Sequence, residues 1–259
     1  MKDSQQQLIQ QEKLASLGEV TAGVAHEIQN PLNFIKNFSE LNTDLIMELQ
    51  EELNSNNIAA VKEISGDIKL NSEKILSHGI RVDSIVKGML QHTRANSSQK
   101  EMVELNTMCD EYIGLSFHGL RAKDKSFNAK IVKNFDPGIG SVNINRQDIG
   151  RVLLNLLNNA FYAVNEKQLA KNNGYNPTVT ISTIKNENTF QISIHDNGAG
   201  IPKKILNKIF QPFFTTKPTG KGTGLGLSIS YKIIKEHKGQ LAVNTNEENF
   251  TEFIITIPL

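Results

Sequence analysis

The sequence predicts an α plus α/β protein: a helical hairpin that forms a dimeric four-helix bundle, followed by an α/β sandwich. Three observations carry this. Over the first 95 residues, apolar side chains recur at alternating steps of three and four, the seam of a coiled coil. A polar stretch, Arg94-Ala95-Asn96-Ser97-Ser98-Gln99-Lys100, then breaks the pattern. Beyond it, helical and strand periods alternate, ending in the run 250–257. The domains are therefore 1–95, a linker 96–100, and 101–259.

The first helix is expected over about 5–53, with Leu14, Leu17, Thr21, Val24, Ile28, Pro31, Ile35 and Phe38 on its seam. After Asn42 the seam shifts to Leu41, Leu45 and Leu49, consistent with a stutter. Asn54-Ser55-Asn56-Asn57 signals a turn. A second helix to about residue 95 carries Ile64, Ile68, Ile75, Val82, Ile85 and Met89 on one stripe. Neither stripe is fully covered by one partner helix, whereas two paired hairpins bury both, at ~1.5–3 kcal/mol per Leu or Ile.

In the second domain the patterns predict a helix over 106–120, a strand over 127–135 and a helix over 146–170. Strands near 177–184 and 189–195, a helix near 226–238 and a hairpin over 240–258 complete one sheet with helices on one side. A long Gly-, Pro-, Lys- and Thr-rich loop between Asn197 and Leu225 reads as a lid.

Charge excludes one class of partner. With 28 basic and 27 acidic residues the chain lacks the basic surplus of a nucleic-acid binder. The single cysteine, Cys109, rules out an internal disulfide framework and suits a reducing cytosol. No apolar run approaches the roughly 20 residues that span a bilayer. The chain opens in helical sequence, Ser4 to Gln11, as though cut from a longer coil. The expectation is a cytoplasmic output segment, free-standing or attached to a membrane-anchored protein, with a sensor domain preceding it.

His26-Glu27-Ile28-Gln29-Asn30-Pro31 lies on the first helix. With Leu14 at the first core position, Val24 is in the seam and His26 faces outward. Glu27 can accept the Nδ1 proton, leaving the Nε2 lone pair directed outward as a nucleophile. Asn30, one turn on, shares that face and can hold a water. Pro31 forfeits a hydrogen bond to the carbonyl of residue 27, a ~3 kcal/mol penalty in a helix interior. His78 and His92 fall on the apolar stripe and read as packing or surface residues, and His118, His195 and His237 lack this context.

Further along, Asn155 and Asn159 are four apart on one helix and share a face, where carboxamide oxygens can ligate Mg²⁺. Asp196 ends a strand immediately before Asn197-Gly198-Ala199-Gly200, placed to accept an adenine amino hydrogen. Gly220, Gly222, Gly224 and Gly226 alternate ahead of a helix, a pattern that lets backbone amides approach phosphates. It is neither a P-loop nor a Gly-x-Gly-x-x-Gly fingerprint. Lys217 and Lys221 can offset phosphate charge. In this order the motifs describe a nucleophile on one domain and a nucleotide pocket on the other, with phosphoryl transfer from ATP to His26 as the chemistry.

Over nearly its whole length the chain resembles bacterial sensor histidine kinases. His26 to Pro31 is similar to the family's phosphoacceptor box, Asn155 to Ala160 to its N box, and Asp196 to Gly200 to its first glycine box. Phe210-Gln211-Pro212-Phe213-Phe214-Thr215-Thr216-Lys217 resembles the phenylalanine box, and Gly222-Thr223-Gly224-Leu225-Gly226 the second glycine box. The resemblance implies a dimerisation and histidine-phosphotransfer hairpin followed by a Bergerat-type ATP-binding domain. It implies His26 as phosphoacceptor, Glu27 as base, Asn159 with Asn155 on Mg²⁺, and Asp196 reading adenine. Asn30 matches the position used by members that also dephosphorylate their regulator. Many members carry a basic residue three places after the metal-binding Asn. Tyr162 stands there instead, which shifts the expected phosphate contact to Lys217. The implied partners are a second copy of the chain and a response-regulator receiver domain.

Two rivals differ on specific residues. A gyrase-type ATP hydrolase activates water with a Glu four residues before the metal-binding Asn. Here that place holds Asn155, which is no base at neutral pH. A nucleotide-sensing dimer scaffold would keep the coil and lose catalytic residues, but none is lost.

Overall fold

The computed structural model describes the backbone of residues 2–93, 99–170, 174–218 and 222–259. The side chains of 2–24, 26, 27, 84 and 87–93 lie outside that description. The chain divides into two compact units, Met1–Ala95 with Thr215–Thr223, and Asn96–Phe214 with Gly224–Leu259. The expected linker 96–100 falls largely outside the described residues.

The hairpin consists of α1 (Lys2–Asn54) and α2 (Ile58–Thr93). Its turn uses the asparagine cluster as chemistry demands. Asn56 takes the left-handed conformation at φ 59°, which asparagine tolerates better than most residues. The Asn57 side-chain oxygen then accepts the Ala60 amide at 3.4 Å, capping α2. Between the helices Pro31, Ile64, Asn71 and Ile85 are buried, with Ile28, Ile35, Phe38, Leu45, Ile68 and Ile75 half-buried. α1 runs through Pro31 without interruption. Leu41 departs from the expected shifted seam and is 45% exposed. Phe34, Leu32, Leu76 and Ile80 are also half-exposed or more, so much apolar surface stays uncovered within a single hairpin.

The second unit opens with β1 (Glu101–Glu104) and α3 (Leu105–Lys123), followed by β2 (Lys130–Asn134) and β3 (Ser141–Ile144). α4 (Arg146–Ala170), β4 (Thr178–Lys185), β5 (Thr189–Asp196), α5 (Gly226–Glu236), β6 (Gln240–Asn246) and β7 (Phe250–Pro258) complete it. A five-stranded sheet has the order β2-β4-β5-β7-β6, parallel only between β2 and β4. β1 and β3 form a separate antiparallel pair that the sequence patterns did not predict. Each has four residues, too few to show a period, and Val103, Val142 and Ile144 alone anchor them in the core.

One face of the main sheet is buried. Along β5, Phe190, Ile192 and Ile194 alternate inward against α4, and the same period of two carries Asp196 to the buried face. α4 is stopped at its start by a reciprocal cap. The Asn145 side-chain oxygen accepts the amides of Gln147 and Asp148, and its amide donates to the Asp148 carboxylate at 2.8 Å. Leu153, Leu156, Leu157 and Phe161 of α4 are fully buried, and Phe161 joins Phe117 and Phe127 in a cluster with centroids 5.8–5.9 Å apart.

The loop expected to be a lid from 197 to 225 is anchored over its first half. Ile209 is buried, and Ile201, Leu206, Phe210, Phe213 and Phe214 pack against the core. A short 3₁₀ turn at Lys203–Ile205 lies within it. Apolar residues at that density hold a segment down. Thr215–Thr223 is the part that does not belong to this compact unit.

Candidate functional site

In the hairpin, His26 and Glu27 lie within α1, and their side chains fall outside the described residues. Ile28 is half-buried, Pro31 buried and Asn30 exposed, so the helix turns Asn30 away from the seam. The Phe34 ring stacks on His78 at 4.7 Å, which bears out a packing role for that histidine. His195 stacks on Phe250 at 5.3 Å, and the buried His237 bonds the Ile233 carbonyl through Nδ1 at 2.9 Å.

In the α/β unit, α4 organises the site. Asn155, Asn159, Ala163 and Lys167 follow one another at steps of four and form one stripe. At its first end the Asn155 amide donates to the Gly226 carbonyl (3.2 Å) and the Ser230 hydroxyl (3.3 Å), tying α4 to the start of α5. At its last end the Lys167 ammonium donates to three backbone carbonyls, those of Asn197, Gly198 and Glu248, each at 2.8 Å. Twelve residues at 1.5 Å rise separate the two ends by about 18 Å. The stripe thus joins the two glycine-rich segments, with the half-buried Asn159 between them.

Asp196 is 3% exposed. Burial pushes its carboxyl up to about 7, against the opposing pull of the Gly198 amide, which donates to it at 2.9 Å, and of the Lys167 charge. Asn197 is a brace. Its side-chain oxygen accepts the Thr178 amide and the Tyr175 hydroxyl, each at 2.8 Å, and its amide donates to the Asn176 carbonyl. Burial and the Asp196 charge push the Tyr175 hydroxyl up to about 12. Gly200 sits at φ +71°, and a Cβ there would lie 2.2 Å from the Asn246 carbonyl oxygen. Only glycine allows the loop to lie against the β6–β7 turn.

The second glycine segment is held as tightly. Gly224 has φ +69°, and a Cβ on it would stand 2.2 Å from the Phe213 carbonyl carbon. Phe213 itself has φ +66°, an unusual state for an aromatic residue. Leu225 is buried and precedes α5, whose start carries no side-chain cap from that residue. Gly222 and Thr223 are half-buried, and the backbone amide of the half-buried Lys217 donates to the Thr215 hydroxyl. Gly220 and Lys221 lie outside the described residues. Tyr162 is half-buried; burial and the hydrogen-bonded Glu166 carboxylate raise its hydroxyl above the ordinary value.

Sequence reasoning missed Lys167, Tyr175, the bracing role of Asn197 and the strained backbone of Phe213. The step of four from Asn159 through Ala163 was the one signal that could have located Lys167. A separate open groove of about 830 Å³ lies at the β4–β5 turn, lined by Asp136, Lys185 and Thr189 among others. Its Asp136 carboxylate already accepts the Gly138 and Lys185 amides, and the register places it at the strand ends opposite Asp196.

Residues 144–259 match the family described as histidine kinase-, DNA gyrase B- and HSP90-like ATPase. The whole chain is 31% identical over 261 residues to the signal transduction histidine-protein kinase AtoS of Escherichia coli (strain K12), covering 37% of it. It is 30% identical over 258 residues to sporulation kinase A of Bacillus subtilis (strain 168), covering 99% of this chain and 37% of that one. Among solved structures, the histidine kinase ThkA in complex with the response regulator protein TrrA matches at 30% identity and a TM-score of 0.62. That match covers 96% of this chain and 63% of the other. The chain spans little more than a third of the length of these two curated relatives. The chain is homologous to bacterial two-component sensor histidine kinases, and residues 144–259 match the histidine kinase-, DNA gyrase B- and HSP90-like ATPase family.

Proposed function

We propose that this chain is a histidine kinase core that transfers the γ-phosphoryl group of ATP to His26 and passes it on to a response-regulator aspartate. The observation that carries the reading is the stripe on α4. One end of it is bonded to the start of α5, and the other, about 18 Å along the helix, to the glycine segment that follows the buried Asp196. A buried carboxyl beside a glycine segment suits an amine-bearing base, and a helix start that follows glycines suits phosphates.

The residues also suit Mg²⁺, a hard cation that takes oxygen ligands. Asn159 offers a carboxamide oxygen between the two ends, and Asn155 a second, its nitrogen being turned to Gly226 and Ser230. ATP with Mg²⁺ supplies the electrophilic phosphorus and neutralises the charge that spreads over the transferring oxygens. Around it, Asp196, Gly198 and Gly200 hold the base. Gly222, Thr223, Gly224, Leu225 and Gly226 present backbone amides, with Lys217 countering charge and Tyr162 on the floor. Glu27 holds the Nδ1 proton of His26, so that Nε2 attacks in line. The phosphohistidine is then attacked by the regulator's aspartate, and Asn30 orients the water that later removes the phosphoryl group.

The domain assignment is 1–95 for dimerisation and phosphotransfer, 96–100 for the linker and 101–259 for ATP binding. The apolar surface left open on the hairpin supports pairing with a second copy. A sensor domain N-terminal to this segment belongs to the same proposal, and the greater length of the relatives leaves room for a further domain. No helix among the described residues is long and apolar enough to cross a membrane.

Two variants test the division of labour. Glu27→Gln should slow autophosphorylation by about 10²–10⁴-fold, the usual contribution of a general base. Asn30→Ala should spare autophosphorylation and impair regulator dephosphorylation. Wild-type rates in the first, or equal loss of both activities in the second, refute the assignments.

A further inference from the structure

We propose that Lys167 is the positioning residue for Asp196: its ammonium, bound to the carbonyls on both sides of the Gly198 α-carbon, favours the charged, accepting form of the carboxylate against the opposing effect of burial, so that the site selects a 6-amino purine over a 6-oxo purine. The proposal rests on the nucleotide reading above and adds a residue and a selectivity mechanism to it.

The geometry is a relay through one peptide group. The Asn197 carbonyl and the Gly198 amide belong to the same peptide. Lys167 Nζ donates to that carbonyl oxygen at 2.8 Å, while the Gly198 N–H donates to Asp196 Oδ1 at 2.9 Å. A cation on the oxygen polarises the peptide and strengthens its N–H as a donor. Charge-assisted bonds of this kind favour the ionised carboxylate. The same ammonium also holds the Gly198 and Glu248 carbonyls, so the loop and the β6–β7 turn share one anchor. The ammonium also lies over the Tyr175 ring, with Nζ 5.1 Å from the centroid.

The surroundings of Asp196 leave few other controls. Among the described residues, Lys167 from α4 and Tyr175 from the segment before β4 are the titratable groups that bear on it. Opposite it stand Val179 on β4 and Thr251 on β7, both uncharged. Tyr175 stays neutral over the working range, and His195 is turned to the other face of the strand against Phe250. Burial therefore acts against the carboxylate and Lys167 acts for it.

The chemical consequence is specific. An ionised Asp196 accepts from a 6-amino group. A protonated Asp196 donates, and so fits a 6-oxo group instead. Removing the lysine charge should move the site from the first state toward the second near neutral pH.

The test is calorimetric binding of Mg²⁺ with ADP or with IDP, from pH 6 to 9.5. The proteins are the wild-type chain, Lys167→Gln, Lys167→Met, Lys167→Arg and Asp196→Asn. Ionisation of the ligand's phosphates cancels in each variant-to-wild-type ratio. The expected result is a loss of about tenfold in the ADP-over-IDP preference of Lys167→Gln and Lys167→Met at pH 7, corresponding to about 1.4 kcal/mol. The preference should return above pH 9 and be retained by Lys167→Arg throughout. Equal weakening of ADP and IDP at every pH, or an unchanged preference, overturns the proposal. So does a failure of both neutral variants to fold when Lys167→Arg folds, since the lysine is then a structural brace alone. The parent reading is judged separately. If Asp196→Asn binds both nucleotides as the wild type does, Asp196 is not the base reader and both conclusions fall.

Discussion

Two glycines two residues apart should respond to alanine in opposite ways. At Gly224 alanine meets two penalties. A φ of +69° costs an L-residue about 1–2 kcal/mol. The new Cβ would also stand 2.2 Å from the Phe213 carbonyl carbon and 2.3 Å from its oxygen, distances that only backbone movement relieves. That backbone is hard to move, because Phe213 packs on the core. The sum is about 2–4 kcal/mol, within the range that overpacking and backbone strain together produce. At Gly226 the same Cβ would lie 3.5 Å from the Asn155 carboxamide, an ordinary contact, at the first position of α5. There alanine removes unfolded-state freedom and should be neutral or stabilising by about 0.4–1 kcal/mol. The assay is nucleotide-free urea and thermal unfolding of the full chain, followed on the α/β unit. Gly224→Ala should lower Tm by roughly 4–16 °C and Gly226→Ala should not lower it. Equal effects of the two substitutions would refute the claim that Gly224 is a contact with Phe213 rather than a generic loop glycine.

Two further outcomes follow from the site. Asp196 is protonated more readily folded than unfolded, its carboxyl standing at about 7 against 3.8. Its contribution to nucleotide-free stability is thus fully present below about pH 4 and is lost as pH rises toward 7, by up to about 4 kcal/mol. Asp196→Asn should flatten that part of the stability profile, and an unchanged slope would contradict the burial argument. Asn155→Ala removes two hydrogen bonds that join α4 to α5 and leaves the buried Ser230 hydroxyl short of a partner. It should cost about 1–3 kcal/mol in urea unfolding without nucleotide or metal, whereas a residue that acted solely on Mg²⁺ would leave that stability unchanged.

The parts of the site legible in the sequence are those written locally. Asp196 could be placed because a strand pattern ends on it and glycines follow, and the same alternation accounts for its burial. Asn155 and Asn159 could be put on one face because helix geometry alone fixes a step of four. The turn at 54–57 was visible as a run of asparagines, which the structure resolves into a left-handed residue and a helix cap. Lys167 was not legible, since its partners are backbone carbonyls 30, 31 and 81 residues away and carry no side-chain signature. Phe213 gave no warning of its positive φ, because an aromatic residue is a poor marker for that conformation. β1 and β3 escaped notice because four residues with one or two buried positions show no period. The docking of the first half of the 197–225 loop escaped notice because its glycines and prolines hid Ile209 and the phenylalanines that hold it on the core.

Phosphoryl transfer to His26 is the centre of the account, and incubation of the full chain with γ-labelled ATP and Mg²⁺ beside His26→Ala measures it directly. The account predicts label that is stable to base, labile to acid, and absent from His26→Ala, which still binds nucleotide. Label retained in His26→Ala, or tight nucleotide binding by both proteins with no label on either, would contradict it.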